Sequence, residues 1–208
     1  MAASSPWPII HAERRALADD LQQLTDEQWA TPSLCRGWSV HQVLGHMTAT
    51  TKKSPPRFLA GMVSTGFRFT VLSDRDVAKE TAGGPQQTLA EFRRHADSTV
   101  HPPGPVDSWL GETIVHGEDI RRPLGLRHRY PLDAVTRVAD FYRRSNVLIG
   151  GKRRVTGLRL QATDADWSTG SGPLVRGPAL SLLLAMTGRH AVLDELSGDG
   201  LEELRSRA

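Results

Sequence analysis

The stretch Trp109-Leu110-Gly111-Glu112-Thr113-Ile114-Val115-His116-Gly117-Glu118-Asp119-Ile120-Arg121-Arg122 reads as a helix that sets a carboxylate and an imidazole on one stripe. Residues four apart on a helix are neighbours, with Cβ atoms about 5–6 Å apart, so Glu112 and His116 can reach one common point. Trp109 and Ile120 fall on the same stripe and turn that face inward. An acid and an imidazole on an inward face are costly unless compensated, and a metal ion is one compensator. The other half, Glu118 to Arg122, is charged and is predicted to form the solvated end of the helix. Spacing alone does not decide for a metal, because E-x-x-x-H pairs also arise as surface pairs. A third ligand has to come from elsewhere.

The helix with the clearest start offers one. Ser39 is a good N-cap and Gln42 sits three residues on, which makes a capping box, with Trp38 placed to staple onto Val43. Val40, Val43, Leu44 and Met47 form its apolar face, and His46 lies at the edge of that face. A lone histidine there more often reads as a satisfied core or boundary residue than as a ligand. Taken together, His46, Glu112 and His116 have the composition of a catalytic zinc site, two histidines and one carboxylate with a fourth position open. Facing helices of a bundle are where such sites are built.

Outward from these two helices, the pattern predicts a helix over 8–24, whose solvated face carries Glu13, Arg14, Arg15, Asp19 and Asp20. A capping box at Thr25 to Gln28 predicts a short turn carrying Trp29, and Pro32 and Gly37 mark a loop. Further helices are expected over 57–70, weakened by Gly61 and Gly66, and over 85–96; residues 71–84 are ambiguous. After the helix over 107–122 the texture changes. A helix over 131–148, an alternating strand at 158–162, a short continuation within 172–177, an apolar helix from Pro178 and a tail broken by Gly198 and Gly200 are predicted. The chain is thus expected to be mainly α, a helical bundle over 1–127 followed by a small α+β C-terminal lobe over 128–208.

Composition bounds the function. The 208 residues carry 26 Lys and Arg against 23 Asp and Glu. Paired basic residues such as Arg93-Arg94 and Arg143-Arg144 are scattered beside acids, which argues against a nucleic-acid face. Of those cations 22 are arginine, a codon signature of a GC-rich bacterial genome rather than chemistry. Neither a signal peptide nor an apolar run of membrane-spanning length stands out, and the single cysteine excludes an internal disulfide, so a cytoplasmic protein is expected. That cysteine, Cys35, lies between Leu34 and Trp38 with no base placed locally, and reads as structural. His11, His95, His101, His128 and His190 show no partner pattern and are expected at the surface.

Two stretches also carry a resemblance. Trp29…Pro32-Ser33-Leu34-Cys35-Arg36-Gly37-Trp38-Ser39-Val40…Val43-Leu44-Gly45-His46, with Glu112-x-x-x-His116-Gly117-Glu118-Asp119, resembles the mycothiol-dependent maleylpyruvate isomerase family, a branch of the DinB-like metal-binding superfamily. The tail Val175-Arg176-Gly177-Pro178-Ala179…Leu183-Leu184…Thr187-Gly188-Arg189 is similar to the end of that family's C-terminal domain, although the lobe reads as shorter than an isomerase's. The resemblance implies a DinB-like four-helix bundle that binds Zn2+ or another divalent metal through His46, Glu112 and His116. It also implies mycothiol as cosubstrate, an actinobacterial source, and transferase or isomerase chemistry in which the metal activates the thiol towards a small electrophile. Asp119 reads either as a group behind a metal ligand or as a surface acid, and Arg189 either as a clamp for a substrate carboxylate or as a cation at a helix C-terminus. The alternative to an enzyme is a DinB-like metal- or small-molecule-binding stress or carrier protein. A vestigial site in a homodimeric interaction module also stays open. The partners expected are a small-molecule thiol and an electrophile, with neither nucleic acid nor membrane.

Overall fold

A computed structural model describes residues 5–146 and 149–207. Two compact units are present, Met1–His128 and Arg129–Ala208.

The first unit is all helical. Helix α1 (Trp7–Asp20) is followed by the short α2 (Asp26–Ala30), then α3 (Val40–Lys52), α4 (Pro55–Ser64), α5 (Phe69–Thr81), α6 (Pro85–Arg94) and α7 (Val106–Arg121). Helix α3 is central: it packs on α5, α6 and α7, while α1 packs on α6 and α7. Leu17, Leu21, Trp29, Val40, Val43, Leu44, Met47, Leu89, Phe92 and Ile120 make the core. Both expected capping boxes form, Thr25 with Gln28 and Ser39 with Gln42, so the phase of α3, and hence the direction of His46, is set at its first turn. Gly45 lets α5 approach, because a Cβ there would lie 2.6 Å from the Thr81 methyl.

Three sequence expectations give way here. The helix expected over 57–70 stops at Ser64, since Gly66 and Phe67 both take positive φ (59° and 60°) and reverse the chain into α5, which occupies most of the ambiguous 71–84. The solvated face assigned to the first helix does not hold for Glu13 and Arg14, both buried, because α1 is covered by two helices rather than one. Nor is Glu118 to Arg122 a solvated end: Glu118, Asp119 and Arg121 are buried. Each has a partner there, Arg121 Nε bonding Asp20 Oδ2 at 2.7 Å and Arg122 Nε bonding Glu118 Oε2 at 2.7 Å.

The second unit contains α8 (Leu132–Tyr142), α9 (Gly151–Val155), strands β1 (Arg159–Ala162), β2 (Ser168–Thr169) and β3 (Leu174–Gly177), and helices α10 (Ala179–Met186) and α11 (Leu201–Arg207). The sheet order is β2-β1-β3, with β1 antiparallel to β2 and parallel to β3, Leu160 standing opposite Val175. Helix α10, apolar apart from Ser181, is buried against α8 and the sheet, as a fully covered helix must be. The helix expected over 131–148 is shorter, ending at Tyr142; residues 147 and 148 lie outside the described set. The chain as a whole is mainly helical with one small C-terminal sheet, the fold class the sequence predicts. No described helix is long and apolar enough to cross a membrane.

Candidate functional site

Helix α7 is buried along nearly its whole circumference from Ser108 to Arg121, and within that span only Glu112 and His116 remain partly exposed. On α3 the same holds for His46 and Thr50, again four residues apart, between fully buried neighbours. Two i,i+4 pairs of polar residues therefore meet where α3 packs on α7. The Thr50 hydroxyl lies 2.5 Å from Glu112 Oε1. The rings of His46 and His116 stand edge to face with centroids 5.1 Å apart. Two imidazoles that share one tetrahedral zinc place their centroids about 5 Å apart, as Zn–N bonds of about 2.0–2.1 Å require.

Each of these side chains is held from behind. Asp119, with no exposed surface, lies with Oδ2 2.8 Å from Nδ1 of His116, so the ring keeps its Nε2 edge free. Ser73 of α5 sits 3.4 Å from Nδ1 of His46, and the Trp38 ring packs at 5.1 Å from the same imidazole. Burial, with the neighbouring His116 and Lys53, pushes the His46 pKa down to about 3, so the imidazole is neutral and its lone pair available at pH 7. Burial raises the Glu112 pKa, and His116, the Thr50 hydroxyl and Arg14 counter part of that rise. A desolvated carboxylate beside two imidazoles is a donor set suited to a divalent cation.

Among the described residues, the three-membered group of His, Cys, Asp or Glu whose ligand atoms come within 4.8 Å of one another is Cys35, His116 and Asp119. His46, Glu112 and His116 share the site but are not gathered to that radius, and Glu112 is bonded to Thr50 instead. The reading of Cys35 as remote from any base is overturned. The loop 31–37 folds onto the end of α7, Leu34 N donating to the Asp119 carbonyl at 3.2 Å, while the Ser33 hydroxyl ties Cys35 and Trp38 together. This brings the Cys35 thiol beside His116 and Asp119.

Of the histidines expected at the surface, His190 is exposed, but His11 and His101 are half-buried against the Trp7 ring. His128 is half-buried too, with Nε2 2.6 Å from Glu13 Oε2. Arg189 lies in the C-terminal unit, just beyond α10, and its Nη1 donates to the Thr187 carbonyl at 2.9 Å, the contact of a cation at a helix C-terminus. Sequence reasoning missed Thr50 and Ser73. Thr50 was within reach of it, four residues from His46 on the same face of α3.

Residues 10–109, which contain α3 and His46, match the family model described as the mycothiol maleylpyruvate isomerase N-terminal domain. Over those residues the chain belongs to that family. A crystal structure of a histidine-to-alanine mutant of the mycothiol-dependent maleylpyruvate isomerase is similar to it, with a TM-score of 0.63 at 12% identity over 93% of this chain and 91% of that one. A second structure, of the mycothiol-dependent maleylpyruvate isomerase, gives 0.56 at 10% identity over the same shares. At such identities the likeness is one of fold. No curated protein matches the sequence.

Proposed function

We propose that this member of the isomerase family uses a divalent metal, zinc by preference, to present mycothiol as a nucleophile to a small electrophile, in an isomerisation or an S-transfer. The ligands are His46, Glu112 and His116. The observation that carries the reading is the pair of imidazoles, with centroids 5.1 Å apart, beside a desolvated carboxylate on the next turn. When bound, such an ion supplies the Lewis acidity that keeps a thiol ionised at neutral pH.

The residues of the chain do the rest. Asp119 accepts from Nδ1 of His116, which fixes the tautomer and aims Nε2 into the site. Ser73 does the same for His46 through Nδ1. Thr50 holds the Glu112 carboxylate between helices until it is needed, and Trp38 covers one face of His46 from water. His46, Glu112 and His116 would hold the ion, which would supply the charge that keeps a thiol sulfur ionised beside them. Addition of the thiolate to an activated double bond, rotation about the resulting single bond and expulsion of the thiolate isomerise the substrate and return the thiol. If the carbon–sulfur bond persists, the same first step is S-transfer.

The test is metal content of the purified protein by mass spectrometry, for wild type and His116→Ala, together with the absorption spectrum of a cobalt-substituted sample on addition of mycothiol. About one metal per chain, lost in the variant, and a thiolate-to-cobalt band are the expected results. A wild-type protein that takes up no metal when zinc is supplied defeats the proposal and leaves a binding protein on the same bundle.

A further inference from the structure

Cys35 is the single cysteine of the chain, and it sits half-buried with an imidazole and a carboxylate for neighbours. Its Sγ, a ring nitrogen of His116 and a carboxylate oxygen of Asp119 all lie within 4.8 Å of one another. Thiolate sulfur, imidazole nitrogen and carboxylate oxygen are the three donor types that zinc accepts, at bonds of about 2.0–2.3 Å. Round a tetrahedral ion such bonds put the ligand atoms roughly 3.3–3.8 Å apart. The three groups are thus close to the spacing that one ion would impose on them.

Two independent sets of bonds hold the cluster in place. On the loop side, the Ser33 hydroxyl accepts from Cys35 N at 3.1 Å and donates to the Trp38 carbonyl at 2.7 Å, while Leu34 N bonds the Asp119 carbonyl at 3.2 Å. On the helix side, His116 and Asp119 lie three residues apart on α7, the spacing at which an acid and an imidazole of one helix meet a common ion in helical bundles. Asp119 Oδ2 stands 2.8 Å from His116 Nδ1, so the cluster occupies the Nδ1 edge of that ring. Asp119 has no exposed surface, whereas Cys35 and His116 are half-buried. A carboxylate buried to that degree is costly without compensation, unlike the solvated acids that gather at surfaces.

We propose that Cys35, His116 and Asp119 form a second cation position, for a thiophilic divalent ion, on the Nδ1 edge of His116. It stands apart from the His46, Glu112 and His116 set and does not depend on the metal-and-thiol reading. A neutral imidazole offers one lone pair, so its tautomer decides which position it serves. With the proton on Nδ1, shared with Asp119, Nε2 is offered to the α3–α7 position. With the proton on Nε2, Nδ1 is offered to an ion beside Cys35 and Asp119. The two positions exclude each other, and the chain holds one ion at a time. Binding at the second releases the Cys35 Sγ proton to solvent, and the thiolate favours soft ions where Glu112 favours harder ones. An ion there also takes Asp119 and His116 away from the first position, so soft metals act as inhibitors of it.

The test is titration of the full-length, chelator-treated protein with Cd2+ in the absence of any added thiol, read by the ultraviolet thiolate-to-cadmium band and by competition with a chelator. The chain has no other cysteine, so such a band reports Cys35 alone. Wild type is expected to give a saturable band, and His46→Ala and Glu112→Gln to keep both the band and the affinity. Cys35→Ser is expected to lose the band and to weaken cadmium at least tenfold, and Asp119→Asn to weaken it to a similar extent. No band in wild type, or unchanged affinity in Cys35→Ser, overturns the position, and unchanged affinity in Asp119→Asn overturns the ligand set. Loss of the band in His46→Ala makes Cys35 a further ligand of a single ion and overturns the second position. Should Cys35→Ser not fold, alkylation of wild type by iodoacetamide decides: Cd2+ is expected to protect Cys35 and Mg2+ to leave it reactive, and alkylation unaffected by Cd2+ overturns the proposal. A band unchanged by His46→Ala, in a protein whose cobalt spectrum does not respond to mycothiol, supports the second position and counts against the metal-and-thiol reading alone.

Discussion

The α3–α7 pair and the α4–α5 hairpin treat polarity in opposite ways. The pair carries imidazoles, carboxylates and a hydroxyl into the interior of the bundle, whereas the hairpin carries Leu59, Val63, Phe67, Phe69 and Val71 out to solvent, Phe67 being 68% exposed. Inside, each of the three candidate ligands has a partner: Asp119 of the same helix for His116, Ser73 of α5 for His46, Thr50 of α3 for Glu112. Hydrogen bonds of this kind have narrow geometry, so the site is specified residue by residue. Exposed apolar side chains answer to no such constraint, and their positions are loosely determined. Polar groups are what fix the geometry of this unit.

That difference is most sharply tested at Asp119. Removing its carboxylate in Asp119→Ala leaves His116 Nδ1 without an acceptor, and the affinity for zinc, measured by competition with a chelator, is expected to fall about 10–100-fold. Unchanged affinity would mean that the site does not depend on its supporting bonds. A second test uses pH. The folded-state pKa of His46, about 3, lies below its unfolded value of about 6.5, so the unfolded chain binds the extra proton. The stability of the chelator-treated protein is therefore expected to fall as pH drops below about 6.5 towards 3, with a slope from this one group approaching about 1.4 kcal/mol per pH unit. His46→Asn should flatten the urea-midpoint profile over that window, and an identical profile would remove His46 from the account. The smallest effect belongs to the hairpin. Leu59→Lys and Val63→Lys are expected to change stability by less than about 0.5 kcal/mol in urea unfolding, and a loss above 1 kcal/mol would erase the distinction between the two regions.

Much of this unit is written locally. The Ser39–Gln42 capping box announces the start of α3 four residues either side of its cap, and the spacing of Glu112 and His116 is a property of one helix, so both could be read from the chain. The fold class and the facing of the two helices followed from the same patterns. Other features depend on where distant segments come to rest. Cys35 looks isolated in sequence because its neighbours His116 and Asp119 reach it only through the docking of loop 31–37 on α7. Arg14 reads as solvated because a helix with one buried stripe leaves room for it outside, whereas α1 is covered by both α6 and α7. The premature end of α4 turns on Phe67 adopting positive φ, a conformation for which an aromatic residue gives no warning.

The bond from Leu34 to the Asp119 carbonyl ties the loop between α2 and α3 to the last helix of the unit. During synthesis His46 therefore leaves the ribosome long before the helix that completes its surroundings, and closing so long a loop is an entropic cost that only the finished bundle can repay. A nascent chain that ends ahead of α7 has the capped helix and the first histidine but nothing to bind with. Assembly of the α3–α7 site is thus a late event, because a chain that stops ahead of α7 lacks Glu112 and His116.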